Sequence, residues 1–282
     1  MTAGRGVRVR RLVAVLGWVS VLVLVAAAVL VRLHGVEPTA AHRSTPPSAT
    51  TPAATGPLHL LGFGDSVMAG AGCDCDDFLR RTGDLLERRT GRAVVTVNDS
   101  ANGETAADLL GDLRTDDGFT AEIGAADVIV LTIGANDLGP ALDDWVGDAC
   151  ERSCYDPEVR AMGSRLSAIL AIVDREKRAS ATVFVVSYWN VFRDGDVGAG
   201  NYDRGYLAWS DQVTRDANTT ICRTADLADA TCVDLYAPFK GADGTKDPTP
   251  LLADDGDHPN DAGTALIATV VAAAVERRGS LG

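Results

Sequence analysis

Beyond residue 57 the chain alternates short apolar runs with longer segments whose apolar positions recur every three or four residues. The short runs are residues 58–63 (LHLLGF), 94–99 (VVTVND), 127–134 (DVIVLTIG), 181–188 (ATVFVVSY) and 231–236 (TCVDLY). Their length and near-continuous apolar character predict strands buried on both faces. Helical periodicity predicts helices within 76–89 and 105–114, from about 157 to 178, within 206–219, and from about 260 to 277. In the third of these, Met162, Leu166, Ile169, Leu170 and Val173 fall on one face.

Five such strands alternating with helices imply an α/β fold. The expected architecture is a flavodoxin-like three-layer α/β/α sandwich on a five-stranded parallel sheet. Ligands of such sheets bind beyond the carboxyl ends of the strands, so the chemistry is expected in the segments just after them.

The N-terminal part has a different pattern. Arg5, Arg8, Arg10 and Arg11 precede an uncharged apolar run over residues 12–31. As a helix this run would span roughly 30 Å, one bilayer core, which favours a retained anchor over a cleaved signal segment. Both readings export the C-terminal remainder of the chain, because the arginines stay inside. Residues 33–57, rich in Pro, Thr, Ala and Ser, have nothing to bury and read as an extended linker. The expected organisation is therefore 1–32 basic and apolar segment, 33–57 linker, and 58–282 folded domain.

Charge narrows the partners. From residue 58 onward there are 20 basic against 38 acidic residues, a net charge of −18. That argues against nucleic acid or an anionic lipid surface as ligand of the folded part. Contact with a membrane is expected only through the N-terminal segment.

All six cysteines, Cys73, Cys75, Cys150, Cys154, Cys222 and Cys232, lie beyond the linker. An even number in an exported domain points to disulfides. Cys222 and Cys232 flank a short polar segment and are expected to pair. The other four allow several connectivities; a Cys-x-Cys pair rarely bridges itself, so Cys73 and Cys75 could instead reach Cys150 and Cys154. The spacings could also make a Cys₄ zinc site, but an oxidising compartment favours disulfides, and no metal or organic cofactor is expected.

Four polar clusters lie after predicted strands or before the last helix. Gly64-Asp65-Ser66 comes after the first strand. A nucleophilic serine needs such a tight turn, which exposes its hydroxyl and aims backbone N–H groups at the reaction centre. The bland alternative is a capping serine. Asn102-Gly103-Glu104-Thr105 comes after the second strand; Gly103 could present its N–H to an oxyanion, or simply make a turn. Gly134-Ala135-Asn136-Asp137 comes after the third, and the Asn136 amide could donate to the same oxyanion or start a helix. Asp255-Gly256-Asp257-His258 precedes the last helix. Of the four histidines, His34 and His42 lie before the domain and His59 at the start of the first strand. His258 is thus the one placed to act as general base, with Asp254, Asp255 and Asp257 as available orienting acids.

Taken together, in this order and at strand ends, these clusters resemble the four blocks of the SGNH/GDSL-type serine esterase superfamily. The resemblance spans about residues 60–275. It implies the SGNH hydrolase fold, Ser66 as nucleophile, His258 as base and Asp255 as the third triad member. It also implies an oxyanion hole made of the Ser66 and Gly103 N–H groups and the Asn136 side chain. The segment 138–156, with two cysteines, is less typical.

The implied activity is hydrolysis of a carboxylic ester through an acyl-enzyme, without cofactor. Asp, Asn, Gly and Trp are frequent around the loops (Trp145, Trp189, Asn190), which leans toward a small acyl group on a polar or saccharide alcohol; core packing roles for the tryptophans are the equal alternative. An O-acyltransferase using the same triad and a non-catalytic envelope-binding module are the alternatives. The first would need an acyl-donating membrane partner, and the second would need no paired Ser and His.

Overall fold

The computed structural model describes residues 56–146, 154–202 and 205–279, all within the compact unit Pro52–Gly282. The segment 12–31 lies outside them. Among the described residues no helix is long and apolar enough to cross a membrane.

Strands β1 (Leu58–Gly64), β2 (Val94–Ser100), β3 (Val128–Thr132), β4 (Thr182–Val186) and β5 (Thr231–Val233) form one parallel sheet in the order β2-β1-β3-β4-β5. Parallel neighbours require crossovers, and helices supply them. On one face, α1 (Phe78–Thr90) packs against the last helix, Asp261–Arg278. On the other lie α2 (Ala106–Thr115), α3 (Asp117–Ala125), α5 (Asp156–Glu176) and α7 (Tyr206–Leu227). Three short helices come after the carboxyl ends of β3, β4 and β5: α4 (Gly139–Val146), α6 (Gly195–Asn201) and α8 (Tyr236–Lys240). The last helix is therefore α9.

Burial tracks the hydrophobic pattern. Every residue of β3 is buried, and so are all of β1 except His59. Helix α5 buries Val159, Met162, Leu166, Ile169, Leu170 and Val173, one stripe repeating at helical spacing. Asp77 caps α1 by accepting from Arg80 N at 2.8 Å, and Asn260 caps α9 by accepting from Gly263 N at 3.0 Å.

Three expectations change. β2 is an edge strand, so its residues are half-buried, with Val95 exposed, rather than covered on both faces. The run 231–236 splits after three strand residues, because the Asp234 carboxylate accepts from Tyr236 N at 2.9 Å and starts α8. Helix α3 arises where no periodicity announced it; Asp116 caps it through Gly118 N, and Ile123 is its one buried residue.

The cysteines also differ from expectation. Cys222 and Cys232 are joined. Cys73 and Cys75, expected to reach elsewhere, are joined to each other. The chain turns at Asp74 and brings their Cα atoms to 5.2 Å, inside the range a disulfide spans. Cys154 is disulfide-bonded, and Cys150 lies outside the described residues.

Candidate active site

The site forms where β1, β2 and β3 end. Gly64, the last residue of β1, has φ +136°, and a Cβ there would fall 1.8 Å from the Thr132 carbonyl oxygen. Only glycine lets β1 run this close to β3 and then turn away. The next residue hydrogen-bonds back, Asp65 N to Thr132 O at 2.8 Å. A single tight turn comes next, with Ala69 N donating to Asp65 O and Ala71 N to Ser66 O. Ser66 rides on this turn with its side chain toward the end of the sheet.

Asp65 locks the turn from below. Its buried carboxylate accepts from Val67 N and from Thr132 Oγ1, both at 3.1 Å, and from the Tyr188 hydroxyl. Burial pushes this carboxyl up to about 6, and the hydrogen bonds from Tyr188, Val67 and Thr132 act in the opposite direction. Tyr188 stands just past β4 and is itself held by Asn218 of α7, which bonds both its N–H and its carbonyl. Thr132 and Tyr188 thus join the turn to β3 and β4. Neither was marked by the sequence, where both look like ends of apolar runs.

His258 approaches from the far end of the chain. Residues 252–259 fold back on themselves, with an antiparallel bridge between Leu252 and Pro259 and Ala253 N donating to His258 O at 2.8 Å. His258 Nε2 lies 2.8 Å from Ser66 Oγ, and Nδ1 lies 2.7 Å from Asp255 Oδ2. The other oxygen of Asp255 accepts from Asp257 N at 2.9 Å and His258 N at 3.0 Å. Burial works against the Asp255 charge, but these backbone bonds and the imidazole outweigh it and hold the carboxyl below its usual range. Asp257, by contrast, is pushed up by burial and makes no bond to the ring. Asp254 is exposed.

The turns after β2 and β3 meet beside Ser66. Asn136 Nδ2 donates to the Glu104 carbonyl at 2.9 Å. Asp137, buried, accepts from Ala106 N at 2.7 Å and from Arg165 Nη1 at 2.9 Å. It therefore ties the Gly134–Asp137 turn to the start of α2. Thr105 and Asp108 close that start as a reciprocal cap. Among the described residues no acceptor takes the N–H of Ser66 or of Gly103. Burial, with Asp112 second, raises the Glu104 carboxyl to about 7. Asp137 and Glu104 were visible in the sequence only as members of their clusters. Their structural roles depend on contacts across β2 and β3.

Chemically, the arrangement is a hydroxyl, an imidazole and a carboxylate in line, beside two free backbone donors and an amide. With Nδ1–H turned to Asp255, Nε2 is free to take the Ser66 proton. Three residues that the sequence places around the loops have packing partners. Trp189 is buried and stacked on Phe239, with ring centroids 4.4 Å apart. Asn190 is buried and bonds Phe192 N and Thr214 Oγ1. Trp145 stacks on Trp209 at 4.9 Å. The part of the segment 138–156 from 147 to 153 lies outside the described residues.

The chain matches the family model of GDSL-like lipases and acylhydrolases over residues 63–266. No curated protein matches it. Among solved structures it resembles the lipase Lip_vut3 from a goat rumen metagenome, with TM-score 0.65 and 19% identity over 77% of this chain and 97% of that one. It also resembles a lipase/acylhydrolase from Enterococcus faecalis, with TM-score 0.54 and 18% identity over 78% and 96% of the two chains. A mutant of Axe2, an acetyl-xylooligosaccharide esterase from Geobacillus stearothermophilus, gives TM-score 0.53 and 18% identity over 77% and 93%. At these identities the structures share the fold. The family match covers most of the chain and includes the Ser66 and His258 blocks, so this protein belongs to the GDSL-like lipase/acylhydrolase family and is a carboxylic ester hydrolase.

Proposed function

We propose that the protein is an extracytoplasmic serine esterase that removes a small acyl group, such as acetyl, from a polar or saccharide alcohol. The observation that supports the mechanism is the unbroken line Asp255–His258–Ser66, with contacts of 2.7 and 2.8 Å. Ser66 Oγ attacks the ester carbonyl while Nε2 takes its proton. The developing oxyanion meets the Ser66 and Gly103 N–H groups and the Asn136 amide. His258 then passes the proton to the departing alcohol as the ester C–O bond breaks, leaving an acyl-Ser66. Water attacks this ester with His258 again as base, and the acid and free Ser66 are restored.

The substrate class rests on two supports. In the turns around Ser66 the accessible residues are small or polar (Ala69, Gly70, Ala71, Asn102, Gly103, Asn136), while the apolar Val67 and Met68 are buried. One structural neighbour is named an acetyl-xylooligosaccharide esterase. Export rests on the four arginines ahead of the apolar run at 12–31. Kinetics on p-nitrophenyl esters of increasing chain length, beside acetylated xylooligosaccharides, test the substrate reading. The expected order is acetyl over butyryl over octanoyl, with release of acetate from the glycan. A preference for long chains would overturn it. Recovery of the full-length protein in the cytoplasmic fraction would overturn export.

A further inference from the structure

Helix α6 and the end of α8 hold a buried ion pair behind the turn that bears Asp255. Asp194 precedes α6. Its Oδ1 caps the helix through Gly195 N at 2.8 Å, and its Oδ2 accepts from Lys240 Nζ at 2.7 Å. Lys240, the last residue of α8, is 5% exposed. It also lies 2.9 Å from Asp211 Oδ1 of α7. Asp211 in turn accepts from the Tyr236 hydroxyl at 2.6 Å and from Arg215 Nε at 2.7 Å. Two cations and two carboxylates thus balance. Breaking one buried pair leaves its partner charged and unsatisfied, which makes the arrangement stiff.

This cluster touches the catalytic turn directly. The backbone N–H of Asp194 donates to the carbonyl oxygen of Gly256 at 2.7 Å. Gly256 stands between Asp255 and Asp257 with φ +71°, and a Cβ on it would lie 2.4 Å from Val197 Cβ of α6. One residue away, Asp255 makes its three contacts with His258 and Asp257. Inside the loop, Gly256 N donates to Ala253 O at 2.9 Å, so the turn is held from within and from behind. The outer hold passes through Asp194, and Asp194 is held by Lys240.

We propose that Asp194 and Lys240 are positioning residues for the reaction: they fix the Gly256 carbonyl, and with it the carboxylate of Asp255 against His258. The proposal rests on the triad reading above. It needs no contact of either residue with substrate. A misplacement of about 1 Å in a catalytic group can cost about 100-fold in rate, so a loosened turn should be read in kcat.

The test compares Lys240→Met, Lys240→Arg, Asp194→Asn, Asp255→Asn and Val271→Ala, the last a buried α9 residue away from the turn. Each is measured for kcat and KM on p-nitrophenyl acetate and for Tm. The proton shared by His258 Nδ1 and Asp255 is tracked by its downfield NMR resonance. Lys240→Met and Asp194→Asn should lower kcat by about 10- to 100-fold with KM within about twofold. The resonance should broaden or vanish in both, and Lys240→Arg should recover most of both signals. Val271→Ala should lower Tm without either effect. Wild-type kcat and an unchanged resonance in Asp194→Asn would overturn the proposal. So would a kcat loss in Val271→Ala that matches theirs at equal Tm. If Lys240→Met does not fold, Asp194→Asn decides by the same outcomes, because an Asn oxygen still caps α6. If Asp255→Asn is itself fully active, the triad reading fails first.

Discussion

Asn136 donates its side-chain amide to the Glu104 carbonyl, 2.9 Å away, and so joins the turn after β3 to the turn after β2 beside Ser66. An amide nitrogen has two N–H groups, and this bond uses one. On the proposed mechanism the second serves the developing oxyanion. Asn136→Ala should therefore lower kcat by about 10²–10³-fold with little change in KM, because the donor acts mainly in the transition state. Asn136→Asp, similar in size but without the donor, should lose as much. Steady-state kinetics decide it, and an unchanged kcat would take Asn136 out of the site.

Asp255 is the acid in contact with the imidazole, while Asp254 is exposed and Asp257 is half-buried without a bond to the ring. Asp255→Asn should lower kcat by up to about 10⁴-fold, as loss of the orienting acid does in serine proteases. Asp254→Asn and Asp257→Asn should change it far less. Ser66→Ala and His258→Ala should each cost at least as much as Asp255→Asn. Were Asp257→Asn the most damaging of the three, the third member would be misassigned.

Asp65 gives a pH dependence with a definite sign. Its carboxyl titrates near 3.8 when unperturbed and is pushed up to about 6 by burial in the folded protein. Between those values the native state binds the extra proton, so stability from this group is greatest in acid and falls as pH rises toward 6. The loss by pH 7 is on the order of 3 kcal/mol. Asp65→Asn does not titrate, so urea unfolding of the variant should show a flatter stability profile between pH 4 and 7 than the wild type. Parallel profiles would mean that folding does not shift the Asp65 carboxyl.

The Cys222–Cys232 bridge joins the end of α7 to β5 across ten residues. Closing a loop of that size constrains the unfolded chain by about 3 kcal/mol in the chain-entropy model. Cys222→Ser with Cys232→Ser should lower the unfolding free energy by a similar amount and leave KM unchanged. Denaturant titration and steady-state kinetics check both. No loss of stability would mean that the unfolded state is already compact there.

Local pattern was enough for much of this molecule. Five apolar runs and the five helices α1, α2, α5, α7 and α9 were legible because a strand covered on both faces and a helix with one buried stripe each impose a period on nearby residues. The four polar clusters were legible for a related reason: in a parallel sheet the turns after strands share one edge, so order along the chain already groups Ser66, Gly103 and Asn136. His258 was the one histidine suitably placed. Other features depend on residues far apart in sequence, and no period records them. Asp65 meets Tyr188 across 123 positions, Asp137 meets Ala106 and Arg165, and Asp194 meets Gly256 and Lys240. The resemblance already implied Asp255 as partner of His258, but the contact itself depends on how residues 252–259 fold back, and the Cys73–Cys75 bridge on a turn at Asp74. Trp189 and Asn190 show the same: the sequence left Trp189 open between a loop near the site and the core, and packing against Phe239 and Thr214 buries both residues. Burial of a polar or aromatic side chain is settled by the partners that satisfy it, and those partners are brought together only when the sheet and its helices close.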